Sequence, residues 1–264
     1  MNTKSKDDNS KPRIIILDIE ITPSRGFYYG NTWQTNILET TEHWILFSYS
    51  WKVLGESKTH FVGITDFKGY KPVDPQKEFP DDYNICKSLN ELLDSADIVI
   101  GHNSKNFDIK KSNLRFSYHG LPVPSHYEQI DTKVLMKQSM SADSNSLDNL
   151  GKFYRIGQKD GAQGPIWQDY LRGDKKAAKM LQNYNNQDIL LTEKLYMWIR
   201  KWSTTHVNMA KYNKDTDVAC TKCGSKDYQK RGWKPAAKMW YQTIWCKQCH
   251  SHSRVGKGQQ VKPE

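Results

Sequence analysis

Hydrophobic positions along this chain follow two periods. Residues 13–21, RIIILDIEI, are an aliphatic run without a helical stripe and predict a buried strand. Residues 43–54, HWILFSYSWKVL, are β-branched and aromatic, and Gly55 follows as a turn signal. With a shorter β candidate at 58–65 they predict an antiparallel hairpin. ADIVIGHN, 96–103, is a short apolar strand that meets a glycine. The period then changes. KSLNELLDSA at 87–96 has helical spacing, and FDIKKSNLRFSYHG at 107–120 reads as a helix closed by Gly120, with Pro122 and Pro124 beyond it. SLDNLGKFYRIG at 146–157 is helical with Ser146 as its cap. The segment from about 174 to 202 predicts one long helix. EQIDTKVLMK, 128–137, begins as a short strand or turn, and residues 66–84 and 157–165 read as loops.

Strand, hairpin, helix, strand, helices is an α/β order, which a mixed sheet with a leading hairpin satisfies. Residues 1–12 read as a solvated tail, 13–202 as the main domain and 203–219 as a polar linker. Residues 220–256 are too few for a core without a staple, and 257–264 read as a second tail. No stretch approaches the roughly 20 apolar residues that span a bilayer. The N-terminus has no apolar core of a secretory signal, so a cytoplasmic protein without membrane contact is expected. Net charge is +10, and it is concentrated: residues 201–264 hold 13 Lys and Arg against 4 Asp and Glu. A polyanionic partner or a solvated tail both suit that excess.

Asp18 and Glu20 interrupt the first strand two residues apart, so both side chains share a face. Such a pair is either a solvent-facing strand end or a buried pair neutralised by a hard cation such as Mg²⁺ or Mn²⁺. Asp108 follows the second apolar strand in IVIGHNSKNFD, at the sheet rim where α/β proteins gather ligands. Asp188 lies in YNNQDILL, one helical turn after Tyr184 and on the same face.

In order and context these segments resemble the three motifs of the DEDD superfamily of 3′–5′ exonucleases, which has the ribonuclease H-like fold. LDIEIT resembles the first motif and HNSKNFD the second. YNNQD resembles the third in its tyrosine form, which also occurs in family B polymerase proofreading domains. The stretch 22–37 resembles viral and bacterial relatives, and the likeness runs over roughly residues 13–200. It implies that Asp18, Glu20, Asp108 and Asp188 hold two Mg²⁺ or Mn²⁺ ions. It also implies that Tyr184 positions the attacking water, with Glu20 helping to orient it. Asn103 and Phe107 would contact the terminal nucleotide, or serve only as cap and packing residue. Asp131 falls where relatives carry an Asp-Thr pair. His102, His119 and His126 read as surface or hydrogen-bonded residues, since the third motif carries tyrosine.

Of the five cysteines, Cys86 reads as a core residue. Cys220, Cys223, Cys246 and Cys249 form two CxxC pairs separated by 22 residues, a spacing for one structural Zn²⁺ with four thiolates. His250 and His252 are then superfluous as ligands. The segment resembles the zinc ribbons of transposases and recombinases. Lys230, Arg231, Lys234 and Lys238 could track a phosphate backbone, and Trp233 and its aromatic neighbours could stack bases or pack the ribbon. The expectation is a metal-dependent 3′–5′ exonuclease acting on nucleic acid with a free 3′ end, DNA favoured, with a replication or repair protein as a possible partner. The alternatives are a non-catalytic nucleic-acid-binding protein on the same fold, a structure-specific endonuclease or resolvase-like enzyme, and an adaptor that binds a protein through the ribbon.

Overall fold

The computed structural model describes residues 12–28, 37–158, 166–213 and 218–263. Most of the expected N-terminal tail, the middle of the 22–37 stretch, most of the 157–165 loop and residues 214–217 of the expected linker lie outside them. The strands are β1 (Ile14–Ile21), β2 (Arg25–Tyr28), β3 (Ile37–Glu42), β4 (Leu46–Val53), β5 (His60–Gly63), β6 (Ile98–Gly101), β7 (Glu128–Asp131), β8 (Tyr228–Ala236), β9 (Met239–Cys246) and β10 (His252–Gln259). The helices are α1 (Tyr83–Asp94), α2 (Asp108–Tyr118), α3 (Thr132–Ser139), α4 (Leu147–Tyr154), α5 (Ile166–Leu171) and α6 (Lys175–Ile199).

The main sheet has the order β5-β4-β1-β6-β7. β4 is antiparallel to both β1 and β5, whereas β1, β6 and β7 run parallel. Each parallel step is bridged by helix-bearing chain, as a parallel pairing requires. The two-residue period of β1 sends Ile15, Leu17 and Ile19 into one core, with Leu89 and Leu93 of α1 and Phe116 of α2. Ile16 joins the opposite core, with Ile98, Ile100, Ile130 and Ile189, Leu195 and Tyr196 of α6. Asp18 and Glu20 continue that second face. β1 therefore exchanges aliphatic for acidic side chains on one face only.

Helix starts follow their caps. Asp174 accepts the Lys176 and Ala177 N–H groups at the head of α6, and Ser146 accepts the Asn149 N–H at the head of α4. α1 starts at Tyr83, ahead of the helical stripe expected from 87. Two elements had no signal in the pattern. α5 has six residues, too few to show a period. The β2–β3 hairpin is exposed along most of its length, so burial imposes no alternation on it.

The stretch expected as a linker contains a 3-10 turn at Met209–Tyr212. Met209 is buried in the α6-side core, and its N–H donates to Thr221 O at 2.9 Å. Tyr196 Oη and His206 Nε2 lie 3.0 Å apart. This stretch is therefore docked, which its polar composition hides. Beyond it, β10, β9 and β8 form an antiparallel sheet in that order, and β10 continues to Gln259, past residue 256. Among the described residues no helix is long and apolar enough to cross a membrane.

One buried carboxylate joins three elements of the first core. Asp82 stands at the N-cap of α1, but its side chain does not cap that helix. Instead Asp82 Oδ2 accepts the Leu46 N–H and the Arg115 Nε–H, each at 2.8 Å, and Oδ1 accepts from Arg115 Nη2 and lies 2.6 Å from His119 Nε2. His119 is therefore part of a buried network rather than a surface residue. Removing one partner of a buried pair costs about 3–5 kcal/mol. Asp82→Ala is expected to lower stability by that order in urea unfolding, and Asp82→Asn, which keeps an acceptor for Leu46, by less.

Candidate active site and cysteine cluster

The acidic site is built where β6 stops. β6 pairs with β1 only as far as Ile16, opposite Ile100. Beyond that point the Ile19 N–H is accepted by Asp108 Oδ1 at 3.1 Å. Asp108 is the first residue of α2 and is buried. It is thus fixed on the backbone between Asp18 and Glu20.

The loop that delivers Asp108 is held from below. Gly101 ends β6 without a side chain because a Cβ there would lie 2.5 Å from Ser104 Cβ and 3.2 Å from Leu17 O. Asn103 follows in the left-handed region at φ 67. Asp131, buried at the end of β7, accepts the Asn103 N–H at 2.9 Å and the Lys105 N–H at 3.1 Å. The same carboxylate caps α3 through the Lys133 and Val134 N–H groups. Asp131 is therefore the residue that shapes the second-motif loop. His102 bridges Thr132 Oγ1 and Asn145 O, each at 2.9 Å, whereas His126 is exposed. Phe107 is 37% exposed at the end of the loop, and Asn103 is half-buried.

α6 brings the third motif to the same end of the sheet. Ser48 and Ser50 of β4 lie opposite Glu20 and Asp18 in the β1 ladder. Asn185 Nδ2 donates to Ser48 Oγ at 3.0 Å, and Ser50 Oγ donates to Asn186 Oδ1 at 3.3 Å. These polar contacts seat α6 across the acid-bearing stretch. Tyr184 precedes them half-buried, and Asp188 is buried one turn later on the same face. β1, α2 and α6 thus carry Asp18, Glu20, Asp108, Tyr184 and Asp188 to one end of the sheet. Asn185 and the two serines carry no family signature in the sequence, and neither does the capping role of Asp131.

Burial pushes the Asp108 carboxyl up to about 7, and the nearby Asp131 charge adds to the rise, while the Ile19 N–H opposes it. A nearby divalent cation reverses that penalty, and an all-carboxylate donor set suits a hard ion. The donor chemistry of the site therefore fits Mg²⁺ or Mn²⁺. In the metal-free protein the raised pKa has a defined consequence. The folded state retains a proton that the unfolded chain releases near pH 4, so stability falls as pH rises from about 4 to about 7. Asp108→Asn, which keeps the acceptor for Ile19, should flatten that slope in chelator-treated protein followed by thermal unfolding. An unchanged slope would remove Asp108 as its source.

The four cysteines form a second constellation. Cys220 Sγ lies 3.5 Å from Cys249 Sγ, and Cys223 Sγ lies 3.6 Å from Cys246 Sγ. All four sulfurs fall within 4.8 Å of one another. A tetrahedron with Zn–S bonds of 2.3 Å has edges of about 3.8 Å, so the cluster fits zinc. The two knuckles repeat one geometry. Gly224 N–H donates to Cys220 O, and His250 N–H donates to Cys246 O, each residue in the left-handed region. The N–H groups of Cys220 and Cys246 donate to Ser225 O and Ser251 O, both at 2.9 Å. Neither His250 nor His252 belongs to the ligand cluster. A second grouping, Asp82, Cys86 and His119, is occupied by the Arg115 ion pair. Purified protein is expected to carry one zinc per chain, and Cys220→Ser to lose it, as read by metal analysis and by protease sensitivity confined to residues beyond 218.

The five basic and aromatic candidates are separated by the sheet. Arg231 and Lys234 line one cleft with Trp245, His252 and Arg254. Lys230 pairs with Ile244, one position out of step with Arg231. Trp233 is half-buried opposite Gln242, and Lys238 is exposed in the β8–β9 turn. Arg254 was not singled out from the sequence, although exposed and buried positions alternate in HSRV.

A five-stranded mixed sheet flanked by helices, with acids on its first strand, defines a ribonuclease H-like fold. The chain belongs to the RNase H superfamily: residues 54–200 match the RNase_H_2 family. The matched span begins just after β4, so Asp18 and Glu20 precede it. The structure is similar to the family B DNA polymerase of the hyperthermophilic archaeon Pyrobaculum calidifontis, with a TM-score of 0.50 and 14% identity. The alignment covers 76% of this chain and 28% of the polymerase chain, and at that identity the likeness is one of fold. No curated protein sequence matches the chain.

Proposed function

We propose that this chain is a metal-dependent 3′–5′ exonuclease of the tyrosine DEDD subclass, DNA being the favoured substrate. The observation that carries the reading is Asp108, buried against the Ile19 N–H between Asp18 and Glu20, with Asn185 of the third motif bonded to Ser48 opposite Glu20. Asp18, Glu20, Asp108 and Asp188 would hold two Mg²⁺ or Mn²⁺ ions. Such a pair, when bound, lowers the pKa of a water and stabilises both attacking and leaving oxygens of an in-line displacement.

The chain's own residues do the positioning. Tyr184 places its phenol against the attacking water by hydrogen bonding. It serves as an orienting group rather than a base, since the bound ions would supply the activation of the water. Glu20 accepts a hydrogen bond from the same water. Phe107, exposed at the head of α2, offers a ring to the terminal base, and Asn103 its amide to the terminal nucleotide. The cysteine cluster holds one structural Zn²⁺ that staples the β8–β10 sheet. Arg231 and Lys234, which share one cleft of that sheet, are its proposed contacts to nucleic acid. A replication or repair protein is the proposed protein partner.

End-labelled oligonucleotides incubated with Mg²⁺ or Mn²⁺ should shorten stepwise from the 3′ end. Asp18→Ala is expected to reduce the rate by about 10²–10³-fold, an effect of the size seen when electrostatic stabilisation of a transition state is removed. Circular single-stranded DNA should stay intact. Cleavage of circles would reassign the protein as an endonuclease, and tight binding without any hydrolysis would make it a non-catalytic binder.

A further inference from the structure

The β8–β10 sheet has two unlike faces. On β9, Thr243 and Trp245 alternate with Ile244 and Cys246. Across β10, Thr243 pairs with Arg254 and Trp245 with His252. Across β8, Trp245 pairs with Gln229, and Arg231 follows two residues later. Arg231, Lys234, Trp245, His252 and Arg254 line one cleft of about 690 Å³, and no carboxylate lines it. The nearest acid along β8, Asp227, pairs instead with Lys247 outside the cleft. Arg231, Lys234 and Arg254 form no ion pair among the described residues.

Trp245 serves the cations rather than a base. The Arg231 guanidinium lies over its ring at 5.6 Å, and the His250 ring lies 5.4 Å from it. The indole is flanked by one guanidinium and one imidazole. It holds the guanidinium over a cation–π contact and so reduces the freedom Arg231 loses on binding. Arg231 and Arg254 lie on the two outer strands, about 10 Å apart at the usual strand spacing. That span exceeds the spacing of neighbouring phosphates on one strand, so the two guanidiniums meet different phosphates. Duplex readers project an element into a groove, whereas a concave basic cleft accepts a strand.

We propose that this cleft binds the phosphodiester backbone of a single nucleic-acid strand, with Arg231, Lys234 and Arg254 on phosphate oxygens and Trp245 holding Arg231. Lys230 lies out of step with the cleft residues and Lys238 in the turn, so neither is part of the cleft. Recognition is independent of sequence, because only the backbone is touched. The proposal rests on the nuclease reading solely for the identity of the partner as nucleic acid.

The test is fluorescence anisotropy of the full zinc-loaded chain with labelled 20-mers, without added Mg²⁺ or Mn²⁺, across a salt series. Each lost phosphate contact reduces the slope of log affinity against log salt by about 0.7 for a single strand. The Arg231→Gln, Arg254→Gln double is therefore expected to lose about 1.4 from the single-strand slope. The Lys230→Gln, Lys238→Gln double has the same net charge and should change it by less than half as much. Arg231→Lys with Arg254→Lys should keep the slope. If the Gln double loses its zinc, Lys234→Gln gives the same reading at about half the change. Equal slopes for the two charge-matched doubles, or a change confined to duplex, would overturn the cleft. Because binding is read without hydrolysis, a protein that cleaves nothing would refute the exonuclease reading and leave this result standing.

Discussion

Asp108 accepts the Ile19 N–H at 3.1 Å, and the geometry of the acidic site depends on that bond. It places the head of α2 against β1 at the point where β6 no longer supplies a neighbour. Without an acceptor there, a buried backbone N–H would be left unsatisfied, at a cost of about 1–3 kcal/mol. Using a carboxylate as that acceptor solves the backbone problem and creates an electrostatic one. Burial drives the same group toward its neutral form, up to about 7. The other acids sit on a strand face and a helix that cannot withdraw, because Ile16 and Ile189 hold them from inside the core.

The surrounding structure consists largely of devices that keep this arrangement fixed. Asp131 folds the 103–105 backbone and caps α3 with one side chain. Gly101 admits Ser104 at a distance no Cβ would allow. Asn185 and Asn186 meet Ser48 and Ser50, so α6 crosses β4 on polar contacts instead of aliphatic ridges. Packing alone leaves a helix some freedom to slide, and directed hydrogen bonds set its register. The site is thereby positioned by buried polar groups, each of which has a backbone or side-chain partner to hold.

The C-terminal sheet solves a different problem. Its three strands bury few large side chains, and the cysteine cluster is its compact centre. The Met209 turn joins it to the α6-side core through the Met209 N–H on Thr221 O, the Asn213 amide on Gly224 O and the buried Met209 side chain. A small sheet held by its own staple leaves most outward positions free of packing duty. Its charged side chains can accordingly gather in one cleft at little cost to folding.

Much of the acidic site was legible in the sequence, because each acid breaks a pattern that hydrophobicity sets up. Asp18 and Glu20 interrupt an aliphatic strand, Asp108 follows a strand end, and Asp188 shares a helix face with Tyr184. The cysteine spacing was equally legible, since four ligands for one ion leave a rigid signature. The α5 helix, the exposed β2–β3 hairpin and the docked 209–212 turn were not, for they bury too little to impose a period. Nor did spacing show that Asp82 joins α1, β4 and α2, or that Asp131 shapes a loop 26 residues away in sequence. Local order in the chain determined which residues carry the chemistry. Tertiary structure alone decided which buried polar groups hold them in place, and which of several exposed cations share a cleft. Those outcomes depend on contacts between distant segments and on strand register, neither of which a linear pattern records.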